Sequence, residues 1–201
     1  PLPKDNLLAR KFSLAKKFVI MYSGTISISS NLALEGMLRA ANLLRNDNDV
    51  VFAIVGDGLK KKTLEEKSNE MRLTNVLFLP FQAYRDLPFL LASSDVLLVP
   101  LDKEKSELSV PSKLYHFMAS GRPILGLADG SSEVAGMIAK TGCGVCLAPE
   151  EFEKIADSIV ALKNSREYRE AMASKGRTYA IENFGRERIL KIYEDLLSSL
   201  S

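Results

Sequence analysis

The chain has 201 residues, with 27 Lys plus Arg against 25 Asp plus Glu and a net charge of +2. That balance argues against the basic footprint of a nucleic-acid binder and against an acidic tail. At 46% hydrophobic and 26% charged, wholesale disorder is excluded too. The length suits one large domain or two small ones, and needs no disulfide to hold a core. Two cysteines fit a reducing, cytosolic compartment. Residue 1 is Pro, and no charged stretch followed by an apolar core opens the chain. The expectation is therefore a piece of a longer protein that carries no signal peptide at this point. Residues 18–34 are uncharged, but Ser23, Gly24, Thr25, Ser27, Ser29, Ser30 and Asn31 break their apolarity, so they are not expected to span a membrane.

In chain order, residues 1–16, with Pro1, Pro3, Lys4 and Lys11, read as an incoming interdomain linker, leaving 17–201 as the domain. Residues 18–22 form an apolar run ended by Ser23-Gly24, as in a buried parallel strand. Leu34, Met37, Leu38, Ala41 and Leu44 then mark one helical face. Residues 50–55 predict a strand ended by Gly56-Asp57-Gly58, followed by a charged helix over about 59–72. A strand is expected at 76–79, a short helix at 86–93 and a strand at 95–100. A helix over about 112–120, closed by Gly121, comes next. Strands at 123–127 and 144–147 flank a helix at 133–140. Beyond Glu150 only helices are expected, marked by Phe152, Ile155, Ile159 and Leu162, then by 168–181, then by Ile189, Ile192, Tyr193 and Leu196. This alternation predicts an α/β fold, a doubly wound, mostly parallel six-stranded Rossmann-like sheet with extra C-terminal helices. No period of 20–50 residues repeats.

In such a sheet ligands bind outside the carboxyl ends of the strands. Function is therefore sought in the loops 24–31, 56–59, 80–84, 101–111, 128–132 and 148–150. Several chemistries drop out. Gly56-Asp57-Gly58 and Gly142-Cys143-Gly144 lack the third glycine of a dinucleotide fingerprint, and there is no Walker A sequence. No G-x-S-x-G elbow presents a serine nucleophile. Asp47-Asn48-Asp49 falls at the wrong end of the sheet for a metal and reads as a turn. Cys143 and Cys146 have no further ligands for zinc and read as ordinary buried thiols. Leu87, Phe89, Leu90 and Leu91 read as core.

The segment 107–124 differs. Pro111 is suited to the opening of a helix, and Ser112 can act as an N-cap or as a first-turn hydroxyl. The first-turn amides would face the crevice, where a helix N-terminus favours an anion. Lys113 adds a full charge there, and His116 follows about one turn on. Together these residues suit a phosphate or diphosphate.

Here a resemblance enters. Lys17-Phe-Val-Ile-Met-Tyr-Ser-Gly-Thr25, Val55-Gly-Asp-Gly58, Asn75-Val-Leu-Phe-Leu-Pro80, Ser94-Asp-Val-Leu-Leu-Val-Pro100, Val110-Pro-Ser-Lys-Leu-Tyr115 and Met118-Ala-Ser-Gly-Arg-Pro-Ile124 occur in this order. Ser132-Glu-Val134, Gly142-Cys-Gly-Val145 and Asn183-Phe184 follow. In order and spacing the chain resembles the C-terminal, donor-binding half of a GT-B-fold, group 1 retaining glycosyltransferase of the surface-polysaccharide type. The resemblance implies a nucleotide-sugar donor, a missing N-terminal domain holding the acceptor site and any catalytic base, and no metal or other cofactor. It also implies a cytoplasmic enzyme, peripheral to the inner face of the membrane where the acceptor is lipid-linked. By the same resemblance, donor contacts fall on Gly24, Thr25, Ser30, Gly56, Gly58, Phe81, Gln82, Glu107, Leu108, Ser109, Val110, Pro111, Ser112, Lys113 and His116. Phe81 and Gln82 would border the base. The family's two donor-site glutamates match Leu108 and His116, with Glu107 one residue away. Its two first-loop cations match Thr25 and Ser30. Two alternatives stand beside the transferase reading, namely a non-catalytic nucleotide-sugar-binding module of the same ancestry and an unrelated doubly wound domain.

Overall fold

The computed structural model describes residues 1–102 and 112–199. In chain order it runs α1 (Leu7–Lys11), β1 (Phe18–Ser23), α2 (Asn31–Leu43), β2 (Val50–Val55), α3 (Lys61–Glu70), β3 (Val76–Leu79), α4 (Leu87–Ala92) and β4 (Val96–Pro100). It continues with α5 (Lys113–Ser120), β5 (Ile124–Leu127), α6 (Glu133–Thr141), β6 (Gly144–Leu147), α7 (Phe152–Asn164), α8 (Arg166–Phe184) and α9 (Arg186–Ser198). Short 3-10 turns at Ile28–Ser30 and Tyr84–Asp86 lead into α2 and α4.

The strands form one six-stranded sheet in the order β3-β2-β1-β4-β5-β6, and all five pairings are parallel. The central strands can be long apolar runs because both of their faces are covered. Alternation then divides the core into two layers. Phe18, Ile20 and Tyr22 of β1 meet α2, α3 and α7 on one face. Val19 and Met21 meet α1, α4, α5 and α8 on the other. Each fully buried Leu, Ile or Phe contributes about 1.5–3 kcal/mol, so this double layer is the main source of stability.

The chain order reverses at β1 and β4. The loop after β1 climbs to α2 on one face, whereas the chain after β4 leads to α5 on the other. A crevice opens between them, as doubly wound topology dictates.

Residues 1–16, expected as a linker, carry α1 and pack on the sheet. Ala9 and Leu14 are fully buried, and the Asn6 side chain caps α1 through the amides of Leu8 and Ala9. A helix of five residues has little intrinsic stability, which is why apolar periodicity does not reveal it. It is held here by tertiary burial. The Leu87–Leu91 cluster divides. Leu90 and Leu91 are core, while Phe89 is exposed and Leu87 faces the crevice. Asp47 sits in a turn and pairs with Lys163 at 2.6 Å. Both cysteines are free, and burial raises both thiols, Cys146 to about 11. None of the helices among the described residues is long and apolar enough to cross a membrane.

Candidate functional site

Gly24 forms the floor of the crevice, and Gly56, itself outside the lining residues, packs behind it. Gly24 (φ +150°) follows β1, and a Cβ placed on it would stand 2.7 Å from Lys113 Nζ. Gly56 (φ +149°) follows β2, where a Cβ would meet the Gly24 carbonyl oxygen at 2.0 Å. Only glycine allows these torsions and this approach. Gly58 lies one step further out, its backbone pressed on that of Ile26, outside the residues that line the crevice.

Over this floor lies a cleft of about 320 Å³. Gly24, Phe81, Gln82, Ser112, Lys113 and His116, all expected from sequence, line it together. Tyr84, Leu87 and Phe117 complete an apolar wall. Phe81 and Tyr84 are 54% and 84% exposed, an aromatic surface that a planar ligand can cover.

Lys113 is the charged element. Its Nζ stands 4.4 Å from the centroid of the Tyr22 ring and donates to the Tyr22 hydroxyl at 3.1 Å. That hydroxyl donates in turn to the Thr25 carbonyl at 2.5 Å. Burial pushes the Tyr22 phenol up to about 12, against an opposing hydrogen bond with Ser30. Burial also pulls the Lys113 ammonium down to about 8. Among the described residues no carboxylate compensates this cation. A desolvated cation without a partner is costly, and an anion entering the cleft removes that cost.

The other expected residues fall in different places. Thr25 contributes its carbonyl to Tyr22, but its side chain does not line the cleft. Ser30 is buried, its hydroxyl donating to the Ser27 carbonyl at 3.3 Å. Ser112 has helical torsions (φ −53°, ψ −27°) and makes no side-chain cap. A cap needs extended torsions that fold the hydroxyl back onto the helix, so the first-turn role remains and the capping role does not. His116 is exposed, with Nδ1 3.3 Å from the Ser112 carbonyl. Glu107, Leu108, Ser109, Val110 and Pro111 lie outside the described residues. Sequence reasoning did not single out Tyr22 or Tyr84. Tyr22 sits in an apolar strand run that reads as core, and only the tertiary approach of Lys113 reveals the hydroxyl's role.

Residues 4–179 match the family described as "Glycosyl transferases group 1". The chain belongs to that family. It is 36% identical over 145 residues to WcaI of Escherichia coli (strain K12), named as a colanic acid biosynthesis glycosyl transferase, a match covering 71% of this chain and 35% of the relative. The chain thus spans about a third to two fifths of the length of the curated relatives it matches. Among solved structures it is similar to Anabaena Alr3699/HepE in complex with UDP, with a TM-score of 0.75, 21% identity, and coverage of 96% of this chain and 51% of that one. It is also similar to the C-terminal domain of the group 1 protein LpcC from Francisella tularensis, with a TM-score of 0.70 and 20% identity. That match covers 90% of this chain and 93% of the LpcC domain. The shared fold is that of the C-terminal half of group 1 transferases.

Within this group 1 chain, Lys113 is the one lysine or arginine among the described residues that line the crevice, at the start of α5. The first loop supplies none, since Thr25 and Ser30 stand where the resemblance expects cations.

Proposed function

We propose that this chain is the donor-binding half of a glycosyltransferase that moves a sugar from a nucleotide-sugar to a glycan or a lipid-linked acceptor, with retention. The observation that supports this reading best is the Lys113 cation at the β1–β4 switch point, which no carboxylate among the described residues compensates, beside an exposed aromatic wall. In this reading the diphosphate meets Lys113 and the first-turn amides of α5, and the base packs on Phe81 and Tyr84. His116 takes a ribose hydroxyl, since an imidazole can donate or accept. Negative charge on the departing diphosphate is then met by a preorganised cation in a partly dry cleft. No metal is invoked.

The acceptor site and any catalytic base belong to the rest of a longer protein. The exposed apolar residues of α9, Leu190, Ile192, Tyr193, Leu196 and Leu197, support an additional docking partner of that kind. The whole enzyme would work in the cytoplasm, at the inner face of the membrane where its acceptor is lipid-linked.

A thermal-shift screen of the chain against UDP-, GDP- and ADP-sugars tests donor binding, because a ligand selective for the folded state raises its melting temperature. One responding nucleotide family is expected, and no response to any would contradict the reading. Leu108 and His116, which replace the family's two carboxylates, favour the non-catalytic module as a second reading. Turnover by the full-length protein separates the two.

A further inference from the structure

Resting on the donor-binding reading, we propose that the cleft takes up a proton as it binds a nucleoside diphosphate, with Lys113 as the group that gains it and Tyr22 as the residue that positions it. The proton passes from solvent to the Lys113 amine, giving an ammonium that faces the diphosphate. No other bond forms or breaks.

The geometry carries the argument. Among the described residues Lys113 Nζ has one hydrogen-bond partner, the Tyr22 hydroxyl at 3.1 Å, and stands 4.4 Å from the centroid of the Tyr22 ring. An ammonium has three N–H donors, so the rest of its hydrogen-bonding capacity turns to the cleft or goes unused. The polar groups around it among the described residues come from three stretches of the chain. β1 gives Tyr22, and the loop above gives Gly24 and the Thr25 carbonyl. The 81–84 segment gives Gln82 and Tyr84, and α5 itself gives His116. Among these described groups there is no carboxylate. In the empty cleft the charged form is therefore poorly supported, in keeping with a Lys113 value near 8. A bound diphosphate supplies the missing negative charge and returns the lysine to its charged form.

Tyr22 makes this switch geometric as well as electrostatic. Its hydroxyl donates to the Thr25 carbonyl while its oxygen accepts from Lys113. It thereby ties the first loop to α5 in a chain segment that lacks its own cation.

Calorimetric titration of the 201-residue chain with UDP, in two buffers of different ionisation heat, reads the proton count. Linkage with a free value near 8 gives an uptake of about 0.7 proton at pH 8.5 and about 0.1 at pH 7. The terminal phosphate of UDP titrates near pH ~6 and contributes nothing at pH 8.5. Side-chain NMR of Lys113 should show its titration midpoint moving upward by more than one pH unit on saturation with UDP. Lys113→Arg, always charged, should bind without uptake. Tyr22→Phe, which keeps the ring, should lower the free Lys113 midpoint. UDP binding without proton uptake at pH 8.5, or uptake that persists in Lys113→Arg, would overturn the proposal and leave the donor-binding reading standing. Failure of UDP, GDP and ADP alike to bind would overturn that reading and the proposal with it.

Discussion

The two ends of the sheet use positive charge in opposite ways. At the amino end, beside the starts of β4 and β5, a cavity of about 520 Å³ is lined by Lys4, Arg122, Arg166 and Arg169. It is larger and more cationic than the cleft at the carboxyl end, yet its cations are committed. Arg122 donates to the carbonyls of Ser94, Gly121, Leu2 and Ala92 at 2.8–3.2 Å. Lys4 pairs with Asp95, and Asp95 also accepts from the Val19 amide at 2.8 Å. Arg166 pairs with Glu170 at 2.7 Å, and Arg169 donates to two carbonyls at the end of α7. At the carboxyl end one lysine stands in a smaller cleft without a carboxylate among the described residues. Cations paired in this way hold a structure together, whereas a desolvated cation with no carboxylate among the described residues is available to an anion. Cavity size alone would select the amino end.

The largest expected effect breaks the structural end. Arg122→Met leaves four carbonyls without their donor and should cost about 2–4 kcal/mol of stability by denaturant unfolding, with nucleotide affinity unchanged. Loss of affinity without loss of stability would erase the contrast. Next, Lys113→Met should weaken UDP binding roughly 10- to 100-fold by calorimetry, the range of a charged hydrogen bond. The same change removes a desolvated cation, so the empty variant should melt about 2–4 °C higher than the parent at pH 7. A variant that is weaker in binding and also less stable would make Lys113 an ordinary structural residue. Phe81→Ala should lower affinity about 5- to 10-fold if the base stacks there.

The last effect concerns pH. The folded Lys113 value near 8 lies below the ordinary ~10.4 of an unfolded lysine. Between these values the unfolded chain binds more protons, so the empty protein should gain stability as pH rises from about 8 to 10. Over the same interval UDP affinity should fall, by at most ~10-fold per pH unit. Melting curves across that range, with and without UDP, should converge.

These contrasts were unequally legible in the sequence. The sheet could be read because buried parallel strands are apolar without interruption, as in residues 50–55, and their ends are punctuated by glycine. Lys113 could be read because Pro111 and Gly121 bracket its helix and the β4 loop must open on the crevice. Residues 1–16 could not. Asn6, Ala9 and Leu14 acquire their roles only against α4 and the sheet, and a five-residue helix carries too few positions for a period. Arg122 looks incidental between Gly121 and Pro123, since its four carbonyl partners are drawn from three separate stretches of chain. Tyr22 was hidden by its apolar neighbours, because a strand pattern records which face a residue takes and not what its hydroxyl reaches.

The most direct test of the central claim is a crystal structure of this chain with UDP. The account predicts the diphosphate within hydrogen-bonding distance of Lys113 Nζ, above Tyr22, with the base against Phe81 and Tyr84. A diphosphate bound instead among Arg122, Arg166 and Arg169 at the amino end of the sheet would contradict it.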